Sequence, residues 1–159
     1  MSERAPLANP GVHFPPPILY ILGFGGGLLL ENQVRSLRFP VDEMVVEIFG
    51  AAVFLAGMYI LIWGIATFRR ALTAIFPNQP ASELVKDGPY RFTRNPMYTG
   101  LSIAYVGGAF LVDSAWPLII LPVVLGLMYL LVIRREEAYL KDAFGQEYMT
   151  YRRTVRRWL

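Results

Sequence analysis

The apolar residues of this chain are gathered into long runs, with polar and charged residues concentrated between them and at the ends. Residues 45–68 carry one charge, Glu47, near the start, and cover the roughly 20 residues a helix needs to cross the hydrocarbon core of a bilayer. Residues 116–133 carry none. Residues 97–112 are also uncharged but fewer, and residues 18–30 form the shortest run, which spans only with help from residues 14–17 or by tilt and local thinning. The pattern predicts an all-α integral membrane helical bundle with about four transmembrane helices. Asp113 and Ser114 make a short turn between the third and fourth, and Pro122 is expected to kink the fourth. Beyond Ile133 the character changes to RREEAYLKDAFGQEYMTYRRTVRRWL, where Leu140, Phe144, Tyr148, Tyr151 and Val155 recur at spacings of four, four, three and four. That stripe predicts a cytoplasmic C-terminal amphipathic helix. A break is expected at Phe144-Gly145, because glycine is poor inside helices.

Composition and charge agree with a membrane protein and give it an orientation. The chain has 159 residues, 55% of them hydrophobic, and a mean hydropathy of +0.41, consistent with one domain. With the amino terminus in the cytoplasm, 13 of the 15 basic residues fall on the inner side: Arg4, Arg69, Arg70, Lys86, Arg91 and Arg94, and seven more from Arg134 onward. Only Arg35 and Arg38 lie outside, as the positive-inside rule expects. Both termini are therefore expected to be cytoplasmic. The net charge of +3 calls for no nucleic acid partner. The absence of cysteine excludes disulfides, thiolate metal sites and a cysteine nucleophile. His13 is the only histidine and has no partners spaced for a metal, so none is expected. Residues 1–17 hold Arg4 and several prolines but no apolar core, so no cleavable signal is expected. The glycines at 23, 25, 26 and 27 fail the nucleotide-loop pattern, which needs glycine where Leu28 stands and a preceding strand. Close approach of membrane helices explains them, and Gly57, Gly64, Gly107 and Gly108, better.

The chemistry concentrates in residues 87–100, DGPYRFTRNPMYTG, a polar segment between two apolar runs. Pro89 and Pro96 fix φ and push Gly88 and Asn95 away from helix, so this is a shaped loop leading into a helix. So specified a loop is read as a site in preference to a basic topogenic linker. Glu136 and Glu137 stand where the fourth run leaves the bilayer. Two readings are open for them: local pairing with Arg134 or Lys141, or a binding role. For Arg152, Arg153, Arg156 and Arg157 the expectation is attraction to anionic headgroups.

Taken together, GPYRFTRNPMYTG before one transmembrane helix and EEAYLKDAFGQEYMTYRR after the next resemble the isoprenylcysteine carboxyl methyltransferase family and its phospholipid methyltransferase relatives. The resemblance covers residues 82–155. It implies that residues 82–159 form a core binding S-adenosylmethionine and that residues 1–81 hold the variable amino-terminal helices. By the same resemblance, the cofactor contacts fall on Ser82, Glu83, Leu84, Val85, Tyr90, Asn95, Pro96, Met97, Tyr98 and Glu136, with Glu137 beside it. Where the commonest family pattern has histidine before the motif proline, this chain has Asn95, which hydrogen-bonds but does not titrate.

Methyl transfer from a sulfonium needs donor and acceptor held in line and no metal or covalent nucleophile. Tyr90 and Tyr98 offer aromatic faces to a sulfonium, Glu136 an acceptor for ribose hydroxyls or an amino group, and Arg94 or Arg134 a partner for a carboxylate. Arg94, Arg134 and Glu137 are the candidate catalytic residues. The reading is a membrane methyltransferase acting on a lipid-associated or small hydrophobic acceptor, with membrane lipids as its other partners. A membrane sterol or enone reductase using a nicotinamide cofactor is the first alternative, and a non-enzymatic scaffold with a basic tail the second. The acceptor stays open among a prenylated cysteine carboxylate, a phospholipid amine, a small thiol and a lipid hydroxyl.

Overall fold

The protein is described by a computed structural model covering residues 9–71 and 81–158. Arg4, one of the residues used above for orientation, lies outside the described residues. Every regular element among those described is helical: α1 (Pro17–Gln33), α2 (Glu43–Arg70), a 3-10 turn (Gly88–Arg91), α3 (Pro96–Leu111) and α4 (Trp116–Met128). A π-helical turn (Tyr129–Ile133) then joins α4 to α5 (Arg134–Thr154) without a break in the helical rod. Two helices are long and apolar enough to cross a membrane: α2, and the 39-residue rod Trp116–Thr154, whose apolar part ends at Ile133. α1 and α3 are apolar but shorter, at 17 and 16 residues. α2 turns Ile48, Leu55, Tyr59 and Ile62 outward, each more than half exposed, which suits a helix bathed in lipid.

Local chemistry sets the helix ends. The carboxylate of Asp42 caps α2 by accepting from the backbone N–H groups of Met44 and Val45. Pro17, Pro96 and Pro117 each sit in the first turn of a helix, where the missing N–H costs nothing. The α3–α4 turn needs a positive φ at Asp113 (47°), a conformation aspartate tolerates better than most residues. Its neighbour Ser114 is fully buried and donates to Glu31 Oε2 (2.8 Å), while Leu37 donates its N–H to the same carboxylate. One side chain at the end of α1 thus ties the 34–37 segment to the α3–α4 turn.

The bundle is built from two pairs, α2 against α3 and α1 against α4. Glycine decides how closely the first pair approaches. A Cβ at Gly100 would lie 2.6 Å from the backbone nitrogen of Leu61 and 2.7 Å from the carbonyl oxygen of Gly57, and one at Gly57 would collide with the backbone of Ala104. Gly50 and Gly107 face each other one heptad further along. Backbone contact of this kind is what small residues supply in membrane helices. On the other pair, a Cβ at Gly27 would meet Pro117, whereas Gly25 faces open space. Tyr20, Tyr98, Tyr105, Val124, Met128, Val132 and Ile133 form the core between α1, α3 and the α4 rod.

The aromatic stripe of the C-terminal helix also turns inward. Tyr148 and Tyr151 pack with Leu84, and Leu140, Phe144 and Val155 close around them. The expected break appears within α5 at Gly145, whose φ of 49° and ψ of −121° are outside the helical range and within reach of glycine. Helix α5 ends when Val155 turns extended (φ −116°, ψ 132°), and the chain from there to Trp158 runs back beside the loop before α3.

Candidate functional site

Three stretches that are distant in sequence meet at the end of the bundle where α3 begins. The loop 81–95 is pinned to α5 by main-chain contacts: Ala81 donates its N–H to the Tyr139 hydroxyl (2.9 Å), and the Tyr151 hydroxyl donates to the carbonyl of Tyr90 (2.7 Å). The terminal strap 155–158 is pinned to the same loop. Thr93 Oγ1 and Asn95 Nδ2 both donate to the carbonyl of Arg157, at 3.0 and 3.1 Å, and the Arg94 N–H donates to the carbonyl of Arg156 at 2.9 Å. Between loop, α5 and α3 lies an open-mouthed cavity of about 110 Å³.

Two adjacent carboxylates on α5 have opposite surroundings. Glu137 is 14% exposed and receives Arg94 Nη1 at 2.9 Å and a two-pronged contact from Arg157, Nε to Oε1 at 2.7 Å and Nη2 to Oε2 at 2.9 Å. Burial works to raise its pKa, but the hydrogen bonds and charge of Arg157, with the charges of Arg94 and Arg152, prevail and hold the carboxyl below its usual value. Glu136 points to the cavity. It receives one hydrogen bond among the described residues, from the Tyr98 hydroxyl at 2.7 Å, and no cation. Burial, and to a lesser degree the charge of Glu137, push its pKa up to about 7 against the lowering effect of the Tyr98 bond. Its neighbour Tyr90 is buried, and its hydroxyl has no hydrogen-bond partner among the described residues. A buried orphan hydroxyl beside a carboxylate with spare lone pairs, in a cavity with aromatic walls, is what a polar ligand would complete.

The cavity brings together ten of the residues singled out in the sequence: Glu83, Leu84, Val85, Tyr90, Arg94, Asn95, Met97, Tyr98, Glu136 and Glu137. Ser82, Pro96 and Arg134 are not among its lining residues; Pro96 is buried at the start of α3, and Ser82 and Arg134 are exposed. Of the pairings considered for the glutamates, neither Arg134 nor Lys141 is used, and Glu137 pairs with Arg94 and Arg157. Arg157 therefore departs from the headgroup role expected of the four terminal arginines. The reason is the extended Val155, which ends the helix and swings Arg157 back onto Glu137, where it also lies over the Tyr129 ring at 4.9 Å. Arg152, Arg153 and Arg156 remain exposed.

Sequence reasoning missed Phe68, Tyr139, Leu140, Tyr148 and Tyr151 as cavity walls. The regular stripe that holds three of them was visible, but a stripe reports that a face is covered and not by what.

These features define a helical membrane protein with a largely apolar, carboxylate-bearing cavity at one end of its bundle. The phospholipid methyltransferase family profile matches residues 45–147, and the chain belongs to that family. Among curated proteins it is similar to the protein-S-isoprenylcysteine O-methyltransferases of Schizosaccharomyces pombe, 28% identical over 82% of this chain and 58% of the relative, and of Saccharomyces cerevisiae, 28% identical over 80% and 57%. A protein-S-isoprenylcysteine O-methyltransferase B of Arabidopsis thaliana is 29% identical over 80% of this chain and 66% of its own length. The chain thus spans a little under three fifths of the two yeast relatives. No solved structure matches it.

Proposed function

We propose that this protein transfers a methyl group from S-adenosylmethionine to a lipid-associated acceptor at the cytoplasmic face of a membrane. The observation that carries the reading is the cavity in which Tyr98 donates to Glu136 beside the unpartnered Tyr90 hydroxyl, because its two halves come from the two stretches that carry the family likeness.

The residues present fit such a cofactor. Glu136 offers free lone pairs to ribose hydroxyls or an amino group, Tyr90 offers a hydroxyl in need of a partner, and the rings of Tyr90 and Tyr98 suit a sulfonium. When bound, the cofactor would supply an activated methyl group on a positively charged sulfur, to be passed to the acceptor with the bonding pair left on sulfur. The protein's part is to orient. Tyr98 fixes the Glu136 carboxylate through their 2.7 Å bond, and Leu84, Val85, Met97 and Leu140 supply apolar wall that excludes water. Arg94, held by Glu137 and by Tyr148 Oη at 3.0 Å, is the one cation among the described residues that line the cavity, and so the group that would meet an acceptor carboxylate. Glu137, saturated by two arginines, acts by holding Arg94 and is not itself free to take a proton. Ser82, Asn95 and Pro96 then serve the site by shaping its loop. Within this reading, residues 82–159 are the cofactor-binding core, residues 1–81 the accompanying helices, and α1, α2, α3 and the apolar part of the α4 rod four spans with both ends in the cytoplasm.

The deciding measurement is thermal stabilisation of detergent-solubilised protein by S-adenosylhomocysteine, the demethylated product, set against NADPH. Stabilisation by the product alone is expected, since a ligand that binds only the folded state raises its stability. Stabilisation by NADPH alone would overturn the proposal in favour of a reductase. Orientation is read separately: single cysteines placed near residue 150 in this cysteine-free chain should react from the cytoplasmic side, and labelling from the outside would place the cavity on the wrong face.

A further inference from the structure

The strap 155–158 is held to the site by several interactions. Its carbonyls accept from Thr93, Arg94 and Asn95, and the carbonyl of Val155 also accepts from Arg94 Nε at 3.1 Å. Trp158 packs against the core of the bundle. Arg157, 29% exposed, reaches back to Glu137 with both prongs of its guanidinium. Arg157 does not line the cavity, yet its hydrogen-bond partners Glu137 and Asn95 do, and Thr93 stands next to Arg94, which does.

We infer that the strap is a positioning element of this site: Arg157 compensates Glu137, so that Glu137 does not set an unbalanced charge beside Glu136, and its carbonyl holds the Thr93–Asn95 corner at the cavity wall. The inference rests on the methyltransferase reading above. It follows from a count of charges in a small volume. Glu136 shares the cavity with Tyr98 from α3, Glu83, Tyr90 and Arg94 from the loop, and Glu137, Tyr139, Tyr148 and Tyr151 from α5, with the strap's Arg157 bound to Glu137 behind them. Glu136 and Glu137 share the inner part of this volume with two cations, and the exposed Glu83 lines the cavity from the loop. Remove Arg157, and Arg94 alone must offset Glu137, so the field at Glu136 turns more negative and its ionised form becomes harder to keep. A Lys at 157 would keep the charge and lose the planar two-pronged contact and the stacking on Tyr129.

The test is the affinity of the purified full chain for S-adenosylhomocysteine, measured by calorimetry across the neutral pH range for wild type, Arg157→Gln and Arg157→Lys. Wild-type binding should weaken toward acid as Glu136 takes up a proton. In Arg157→Gln the affinity is expected to fall about tenfold, with the acid midpoint displaced upward by about half a pH unit. Arg157→Lys should restore the wild-type midpoint and lose about threefold in affinity. Should Arg157→Gln not fold, Arg157→Lys carries the test alone, and affinity equal to wild type overturns the inference. Equal losses in the two variants with an unmoved midpoint would show a purely structural strap and overturn it as well. Wild type that binds no product fails at the earlier step, removing the methyltransferase reading and this inference with it.

Discussion

Glu136→Gln is expected to weaken binding of S-adenosylhomocysteine by roughly five- to a hundred-fold, the 1–3 kcal/mol that a hydrogen bond to a charged acceptor is worth. The same change should raise the melting temperature of the unliganded protein at mildly alkaline pH. The opposing signs have one origin. Burial lifts the Glu136 pKa from 4.5 to about 7, so between those values the folded state keeps a proton that the unfolded chain has released. The stability this group contributes is present below 4.5 and is lost as pH rises through about 7, where the ionised carboxylate must be tolerated without a cation. Glutamine removes that burden and can still accept from Tyr98. The gain over wild type should therefore vanish in acid, and the acid loss of product affinity seen in wild type should be absent. Calorimetry and melting curves at acid and alkaline pH read both effects. A variant that melts lower than wild type at alkaline pH would show Glu136 to be a structural group wrongly assigned to the ligand.

Arg94→Ala is expected to have the largest effect on the fold of any single change at the site. The side chain is 9% exposed and serves Glu137, Tyr148 and the carbonyl of Val155 at once, at 2.9, 3.0 and 3.1 Å. Truncation leaves Glu137 to Arg157 alone and two further acceptors unsatisfied, a change worth about 3 kcal/mol by the measure of broken buried ion pairs. Product affinity should fall with it, since Arg94 lines the cavity. Arg94→Lys should recover only part of the stability, because one ammonium on a flexible stem cannot reach three acceptors spread around a planar guanidinium. Melting temperature and product affinity of the two variants in the same detergent check this. Wild-type stability in Arg94→Ala would mean that the network carries no load.

Much of this protein can be read from its residues in order. The apolar runs locate every helix of the bundle, since burying 13 or more uncharged residues in a row leaves few alternatives to helix. Gly145 and the prolines at 17, 96 and 117 mark a break and three starts through φ alone, which is a property of single residues. The polar loop around Tyr90 and Arg94 stands out for the same reason, since Pro89 and Pro96 specify its shape.

Tertiary structure decided which charges meet. Nothing local distinguishes Glu136 from Glu137, or Arg157 from Arg156, because a carboxylate's role depends on the cations that reach it across space and not on its neighbours in the chain. The π turn at 129–133 and the extended Val155 settle it. One alters the register in which α5 leaves the bundle, and the other reverses the chain, so Glu137 meets two arginines from segments 20 and 43 residues away while Glu136 is left facing the cavity. Periodicity likewise marked the aromatic stripe of α5 as a covered face, but only packing showed that Leu84 covers it. Local backbone preference and hydropathy set the helices and the break, and marked the loop and the α5 glutamates that the cavity brings together. Only the fold decided the ion pairs and the free carboxylate, because electrostatic energy depends on distances that the chain sets by folding.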